Sequence, residues 1–352
     1  MRGKELLQRI WNLEPVERPA IIVEESIGYR PSFLDTHIPL DDYHTQYQRA
    51  IEEYESLRQD RDDNVPALMT AMGTFVMPTV FGAQIRSFPD GRRYIHAPVI
   101  RDAQDVDSIR PLAMEETILG QQIRLLESFA QKTGGNVPVR MPDLQNPLGI
   151  AEMLWETESF YAALAEEPEQ VHRLLEMITE VLIDSIHRIR NVCRNFVPVT
   201  WPFIWAPADK GVHLSDDTMS MISPAMYEEY GVRYNNHVSR EFGGIYLHSC
   251  TTNRRYFESI MKNENLRSIN FAAQYSSDMT EIFEFFGGKV VILPHYVHTD
   301  SPQIGTLPQF IDKVLDCWTP ATPCIIYVSP RPDGGPQQEV FDALSARHLH
   351  MT

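Results

Sequence analysis

His248 and Cys250 are the two side chains whose types and spacing most clearly suggest chemistry. They lie two residues apart in "GIYLHSCTTN" (244–253), directly after an apolar run that indicates a β-strand. Residues i and i+2 of a strand project to the same face, so an imidazole and a thiol would point at one object. Zinc accepts both ligand types. The pair therefore predicts two ligands of a metal site, against the alternative of a buried cysteine and a histidine bonded to the backbone.

Polar and aromatic residues elsewhere are candidates for acid–base chemistry and for substrate binding. "MPDLQNP" (141–147) and "WPFIWAPADKG" (201–211) both follow apolar runs. Asp143 is the acid–base candidate, and a turn-forming role is the alternative because Asp and Asn before proline initiate turns. Asp216 and Asp217 are predicted to be a solvated or capping pair, since adjacent side chains seldom converge on one proton. The substrate-binding candidates here are Gln145, Asn146, Trp205, Tyr246 and Tyr296.

Strand-like and helix-like segments alternate along the chain, which indicates an α/β protein with a parallel sheet. The eight strand candidates are residues 19–26, 73–81, 137–143, 197–205, 244–250, 267–272, 289–295 and 324–329. Between them lie amphipathic segments, of which "EEPEQVHRLLEMITEVLIDSIHRIRNV" is the longest. The pattern predicts a single (β/α)₈ TIM barrel over residues 1–352, in which residues 1–60 are an N-terminal helical extension that includes the first strand.

A barrel places its functional groups at the C-terminal ends of the strands, which restricts the choice of a third metal ligand. Cys324 opens its strand, roughly 17 Å from the strand's far end at ~3.3 Å per residue, and is predicted to be core. Cys193 and Cys317 lie in or beside helical segments. His295 and His298 follow the seventh strand at the correct end. His298 is therefore predicted to be a metal ligand or an acid–base group, with an exposed loop histidine as the alternative.

Composition restricts the classes of partner. The 352 residues carry 31 basic and 48 acidic side chains, a formal net charge of −17, and no lysine or arginine run. Such a chain would repel nucleic acid and anionic membrane surfaces. Four cysteines make no disulfide framework, and the N-terminus has no signal-like apolar segment, so we expect a soluble cytoplasmic protein. No nucleotide-binding motif is present. The sequence leaves the oligomeric state open, and a homodimer is compatible with it.

Several segments, in order, resemble those of the uroporphyrinogen decarboxylase superfamily. They are "MPDLQNPLGIAEMLWETESFYAALAEEPEQVHRLLEMITEVL", "HLSDDTMSMISPAMYEEY", "FGGIYLHSCTTN" and "FFGGKVVIL". "GTFVMPTVFGAQ" and "RDAQDVDSIRPL" resemble the methyltransferase-like and uncharacterised branches. The resemblance covers residues 65 to 330 and implies one TIM barrel.

The departures from each branch favour a methyltransferase. Where the decarboxylase has arginines that hold substrate carboxylates, this chain has Glu24 and Glu25, which makes Glu25 a candidate to bind a neutral or cationic substrate. The methyltransferases have H-x-C, matched by His248 and Cys250, and a later cysteine, where Arg331 or Pro332 stands here. The resemblance implies zinc and a corrinoid carried on a partner protein, with methyl transfer to or from a small molecule. The alternatives are a metal-free decarboxylase or lyase and a non-catalytic binding barrel.

Overall fold

Parallel strands and helices alternate along the part of the chain that the computed structural model describes, residues 2–24, 42–58, 62–69, 73–88, 93–297, 304–329 and 336–349. The strands are β1 Ala20–Val23, β2 Ile85–Ser87, β3 Arg93–Ile95, β4 Val139–Arg140, β5 Phe196–Val197, β6 Val212–Ser215, β7 Ile245–His248, β8 Leu266–Ala272, β9 Val291–Tyr296 and β10 Ile325–Val328. The α-helices are α1 Arg2–Trp11, α2 Tyr43–Leu57, α3 Val76–Val80, α4 Ile118–Lys132, α5 Pro147–Leu154, α6 Thr157–Glu166, α7 Pro168–Val192, α8 Pro224–Met226, α9 Arg233–Phe242, α10 Phe257–Ile260, α11 Met279–Phe286, α12 Leu307–Cys317 and α13 Pro336–Ala346. A π-helical segment, Tyr227–Val232, joins α8 to α9.

Eight of the ten strands in the described part of the chain close into a barrel, whereas β2 and β3 form a separate antiparallel pair. Six of them form one parallel sheet in the order β1-β10-β9-β8-β7-β6, and β4 pairs with β5 in parallel. Three links join these two parts: Leu68 bridges Val139, the Asp63 amide donates to the Ile21 carbonyl at 2.9 Å, and the His213 amide donates to the Pro198 carbonyl at 3.1 Å. The expected α/β TIM barrel is confirmed, and its strand ends define one rim for functional groups.

Strand alternation divides the apolar residues into two cores. Ile22, Leu293 and Tyr327 point into the barrel, whereas neighbours such as Ile21 and Ile292 face the surrounding helices. Helix α1 packs its apolar face, which includes Leu7, Ile10 and Trp11, into the interior core. The helix predicted at the N-terminus is therefore confirmed, and it closes the end of the barrel opposite the C-terminal strand ends.

Two strand predictions are wrong. Residues 73–81 contain helix α3 rather than a strand, and the chain around Leu68 occupies the wall position beside β4. A short apolar run without alternation does not distinguish helix from strand, and Pro78 fits the first turn of a helix but would break a central ladder. In residues 197–205 the strand ends at Val197, and β6 was not foreseen.

Helix α8 begins at Pro224, and Ser223 is its N-cap. The Ser223 hydroxyl accepts from the Met226 amide at 3.2 Å, and Pro224 occupies the first helical position, where its missing N–H costs no hydrogen bond. The amphipathic segment "EEPEQVHRLLEMITEVLIDSIHRIRNV" (166–192) was predicted to be helical. Helix α7 confirms this, and its buried face includes Val171, Leu174 and Ile178. No helix among the described residues is both long and apolar enough to span a membrane.

Candidate metal centre

The inward-facing side chains of β7 lie at successive heights between the closed end of the barrel and its open end. Tyr246 lies deepest, with its ring 5.0 Å from that of Trp11 in α1. His248 projects from the same face two residues later and is 5% exposed. Cys250 follows just beyond the strand end and is exposed. The predicted common face of His248 and Cys250 therefore exists, at the open end.

Asp217 joins the pair and completes a cluster of three potential metal ligands. One ligand atom each of Asp217, His248 and Cys250 lie within 4.8 Å of one another. The Cys250 sulfur is 3.6 Å from His248 Nε2, and Asp217 Oδ1 is 4.0 Å from the same nitrogen. Asp217 Oδ1 also accepts from the Cys250 amide at 2.6 Å, which ties the two loops together. Carboxylate, imidazole and thiolate are all ligands that zinc accepts.

The register of two neighbouring strands explains why Asp217 is there. Ser215 of β6 pairs with His248 of β7 in a parallel ladder. Asp217 follows Ser215 by two residues, as Cys250 follows His248, so both leave the sheet on the same side and at the same height. The prediction that Asp216 and Asp217 form a solvated or capping pair missed this role. Recognising "VHLSD" as a strand beside "IYLHSC" would have revealed it.

A hydrogen-bond chain orients the imidazole of His248. Asn270 Nδ2 donates to the Leu293 carbonyl at 2.8 Å, which leaves Asn270 Oδ1 as the acceptor for His248 Nδ1 at 2.6 Å. His248 Nδ1 must therefore carry the proton, and Nε2 presents its lone pair to Cys250 and Asp217. Metal-binding histidines commonly donate their other ring N–H to such an acceptor. The tautomer of His248 thus fits a metal ligand.

The thiol of Cys250 is strongly protonated in the metal-free protein. Desolvation of the sulfur, followed by the negative charge of Asp217 and its hydrogen bond, raises the pKa of Cys250 to about 12, although the residue as a whole is exposed. Asp143 adds a smaller effect of the same sign. A dication near the sulfur would reverse these influences and favour the thiolate. The surplus of negative charge is therefore suited to a bound cation.

Asp143 lies close enough to this cluster to interact with its charges. Desolvation raises the pKa of Asp143, and the Asp217 charge adds to this, whereas hydrogen bonds from Gln145 and the charge of His248 act in the opposite direction. Asp143 Oδ1 accepts from the Gln145 amide at 3.1 Å and from Gln145 Nε2 at 3.0 Å. The carboxyl thus has the raised proton affinity that suits an acid–base group, and it also forms the turn that was the alternative.

A buried polar network stands behind Asp217. Asp216 is fully buried, and its Oδ2 accepts from Asn235 Nδ2 at 3.2 Å. Asn235 Oδ1 accepts from Asn146 Nδ2 at 3.2 Å, and the Asp216 amide donates to the His248 carbonyl at 2.8 Å. Burial raises the pKa of Asp216 to about 6. The network fixes the backbone on either side of the cluster.

Four of the residues predicted to bind substrate are placed elsewhere. Asn146 is fully buried, and its Oδ1 caps α5 by accepting from the Gly149 amide at 2.8 Å. Tyr246 donates to the Pro207 carbonyl at 2.7 Å inside the closed end. Trp205 lies there too, because residues 200–207 descend into the interior, and its carbonyl accepts from Trp11 Nε1 at 2.9 Å. Tyr296 points outward, with its ring 5.2 Å from that of Phe310.

The other predicted positions have mixed outcomes. Gln145 is buried but stays beside Asp143 near the cluster. His295 lies inside the barrel, where Nε2 is 2.6 Å from the Ser329 hydroxyl. Cys324 is buried and distant from the cluster in the fold, as expected for a core residue, and Cys193 is buried as well. Glu25 and His298, like Arg331 and Pro332, lie outside the described residues.

Comparison with known proteins confirms the family resemblance. Residues 61–292, more than half of the chain, match the family described as "Uroporphyrinogen decarboxylase (URO-D)". The chain belongs to the uroporphyrinogen decarboxylase family. Among solved structures it is similar to a methyltransferase from Methanosarcina mazei, with a TM-score of 0.69, 11% sequence identity and 99% of each chain covered. At that identity the likeness shows the shared barrel. No match was found among curated protein sequences.

Proposed function

We propose that this member of the uroporphyrinogen decarboxylase family is a zinc-assisted methyltransferase, which moves a methyl group between a corrinoid protein and a small acceptor. The observation that carries the proposal is the cluster of Asp217, His248 and Cys250 within 4.8 Å at the open end of the barrel. The likeness to a methyltransferase structure supports the same class of enzyme. Asp217 takes the place of the third ligand that the sequence assigned to His298.

The three residues divide the work of holding the metal. His248 offers Nε2, because Asn270 keeps the proton on Nδ1. Cys250 offers its sulfur after loss of the thiol proton, and Asp217 offers a carboxylate oxygen. Bound zinc would supply a Lewis acid that lowers the pKa of an acceptor thiol and so prepares a thiolate nucleophile. With three protein ligands, a fourth position is left for that small molecule.

Asp143 is the residue to which we assign proton transfer. Desolvation raises the pKa of Asp143, and the negative charge of Asp217 raises it further. A carboxyl with raised proton affinity can take the proton that an acceptor thiol loses. Gln145, which donates to Asp143 Oδ1, holds the carboxylate in position for this step.

The charge of the open end argues against decarboxylation of a polyanionic porphyrinogen. Asp143 and Asp217 are both acidic. The buried Arg140 donates to the carbonyls of Val199 and Ile204 at 2.5 and 2.6 Å. Glu24 accepts a hydrogen bond from Tyr327 in the barrel interior. Carboxylates brought against such a surface would be destabilised by like-charge contact.

The direct test is a methyl-transfer assay. Purified protein loaded with zinc is mixed with methylcobalamin, as a stand-in for the corrinoid protein, and 2-mercaptoethanol, and loss of the methyl–cobalt absorbance is followed. We expect transfer that depends on zinc and is lost in Cys250→Ser, with Cys317→Ser as the matched control that retains it. Equal rates with and without zinc, or in both variants, would contradict the proposal.

A further inference from the structure

A cavity of about 500 Å³, separate from the metal centre, lies between β3, the C-terminal end of α5 and the chain that leads into α3. We propose that this cavity binds an organic cation, such as an alkylammonium or quaternary ammonium group, through the carboxylate of Glu152 and the aromatic rings around it. None of Asp217, His248 and Cys250 lines the cavity. The proposal therefore goes beyond the proposed function and does not depend on it.

Aromatic and apolar side chains form much of the wall. Phe75 and Trp155 are buried, with exposures of 5% and 2%, and Tyr94 is 50% exposed. Met153 and Ile95 add apolar surface. The faces of aromatic rings attract cations, and alkylated ammonium groups present both positive charge and apolar surface. The wall therefore suits a cation whose charge is surrounded by methyl or methylene groups.

Glu152 supplies the negative charge. Its side chain is half-buried in the cavity wall, and burial raises its pKa. No hydrogen bond or ion pair joins the Glu152 carboxylate to another residue in the described part of the chain. The second carboxylate of the wall, Glu156, accepts instead from the Ser159 amide at 2.9 Å. A desolvated carboxylate without a counter-charge is unfavourable, and a bound cation would remove that penalty.

The wall also discriminates against anions. Two of its residues are glutamates, and no lysine or arginine is among the residues that line the cavity in the described structure. Among the described residues that line the cavity, His96 is the one basic side chain. The formal charge of −17 over the whole protein further raises the local concentration of cations. The described lining residues therefore favour a positively charged ligand over an anion.

Helix α5 sets the relation between this cavity and the metal centre. Asn146, the residue that caps α5, belongs to the polar network behind Asp217. Glu152 follows six residues later, which is about 9 Å along a helix axis at 1.5 Å per residue. The cavity and the polar network behind Asp217 thus share helix α5, and either a small cation or a lysine side chain of another protein could fill the cavity.

The test compares cationic and neutral probes by isothermal titration calorimetry. Choline, its neutral carbon analogue 3,3-dimethyl-1-butanol and the end-blocked tripeptide Gly-Lys-Gly are titrated into full-length protein at constant ionic strength. We expect choline to bind, the neutral analogue to bind at least about tenfold more weakly, and Glu152→Gln to remove this preference. The matched control is Glu158→Gln, an exposed carboxylate on the neighbouring helix, which should bind choline as the wild type does. Tighter binding of the tripeptide than of choline would identify a protein side chain as the source of the cation.

Three outcomes would overturn the proposal. The first is the absence of binding by both choline and the tripeptide. The second is equal binding of choline and its neutral analogue. The third is unchanged binding of choline in Glu152→Gln. Should Glu152→Gln fail to fold by circular dichroism, Tyr94→Ala serves instead, because Tyr94 is half exposed and its removal should weaken choline binding without unfolding the protein.

Discussion

Asn270 determines which ring nitrogen of His248 faces the other two proposed ligands, Asp217 and Cys250. Its amide donates to the Leu293 carbonyl, so its oxygen can only accept from His248 Nδ1. Neither contact can be read from the sequence, because both depend on β8 lying between β7 and β9. The sequence does predict that His248 and Cys250 share a face, since that follows from the two-residue period of a strand alone.

Replacement of Asn270 should weaken zinc binding without removing a ligand. In Asn270→Ala, His248 loses the acceptor that keeps the proton on Nδ1, and we expect zinc affinity to fall about 10- to 100-fold. Competition with a chromogenic chelator measures this change. Asn12→Ala, at an exposed asparagine in the N-terminal region, is the control and should bind zinc normally. An unchanged affinity in Asn270→Ala would show that the hydrogen bond does not orient a ligand.

The pKa of Cys250 predicts proton release when zinc binds. Below a thiol pKa of about 12 the sulfur is protonated, so ligation must displace one proton at neutral pH. The apparent zinc affinity should therefore rise with pH, by about tenfold per unit from this group alone. Calorimetry in buffers of different ionisation enthalpy should give about one proton fewer for Cys250→Ser than for wild type. Equal proton release by the two proteins would mean that the sulfur is not a ligand.

At the scale of elements, β6 and helix α1 explain most of what sequence reasoning missed. β6 is only four residues long and follows an irregular segment, so the sequence pattern does not predict its register with β7. That register brings Asp217 to the cluster. Trp205 and Tyr246 lie in segments that were predicted as strands. In the fold, both contact Trp11 of α1 at the closed end of the barrel. Tyr296 was predicted to bind substrate, but successive residues of a strand face opposite sides. Its neighbour His295 faces the barrel interior, and Tyr296 faces the helices.

Helix α1 should contribute to stability and not to metal binding. Trp11→Ala removes a buried ring that contacts Tyr246 and the hydrogen bond to Trp205, so we expect unfolding free energy to fall by about 3–5 kcal/mol. Urea unfolding followed by circular dichroism measures the change, and zinc affinity of the folded variant should stay within about twofold of wild type. Leu13→Ala, at a residue that is 43% exposed, is the control. A large loss of zinc affinity would place the closed end in contact with the site.

For the whole molecule, the alternation of strand and helix patterns was enough to predict the barrel. That alternation follows from two buried faces, one inside the barrel and one under the helices, and both leave clear apolar signals. The short segments that fix the site leave none, because their positions depend on contacts between elements distant in sequence. Net charge, in contrast, is read directly from the sequence, and it already restricts the charge of the substrate.

The acidic character of the protein predicts that it will not act on a polycarboxylate porphyrinogen. With a net charge of −17 and with Asp143 and Asp217 at the open end, the protein should repel such a substrate. Incubation with uroporphyrinogen should give no carboxylate loss by chromatography, and low salt should not promote binding. Turnover, or tight binding at low salt, would contradict this account of the site.

The measurement that tests the central claim most directly is zinc-edge X-ray absorption of the zinc-loaded protein. We expect one sulfur neighbour at about 2.3 Å together with nitrogen and oxygen neighbours at about 2.0–2.2 Å, with the sulfur lost in Cys250→Ser and kept in Cys317→Ser. A zinc environment with no sulfur, or one that is the same in wild type and Cys250→Ser, would contradict the claim that Asp217, His248 and Cys250 form a metal centre.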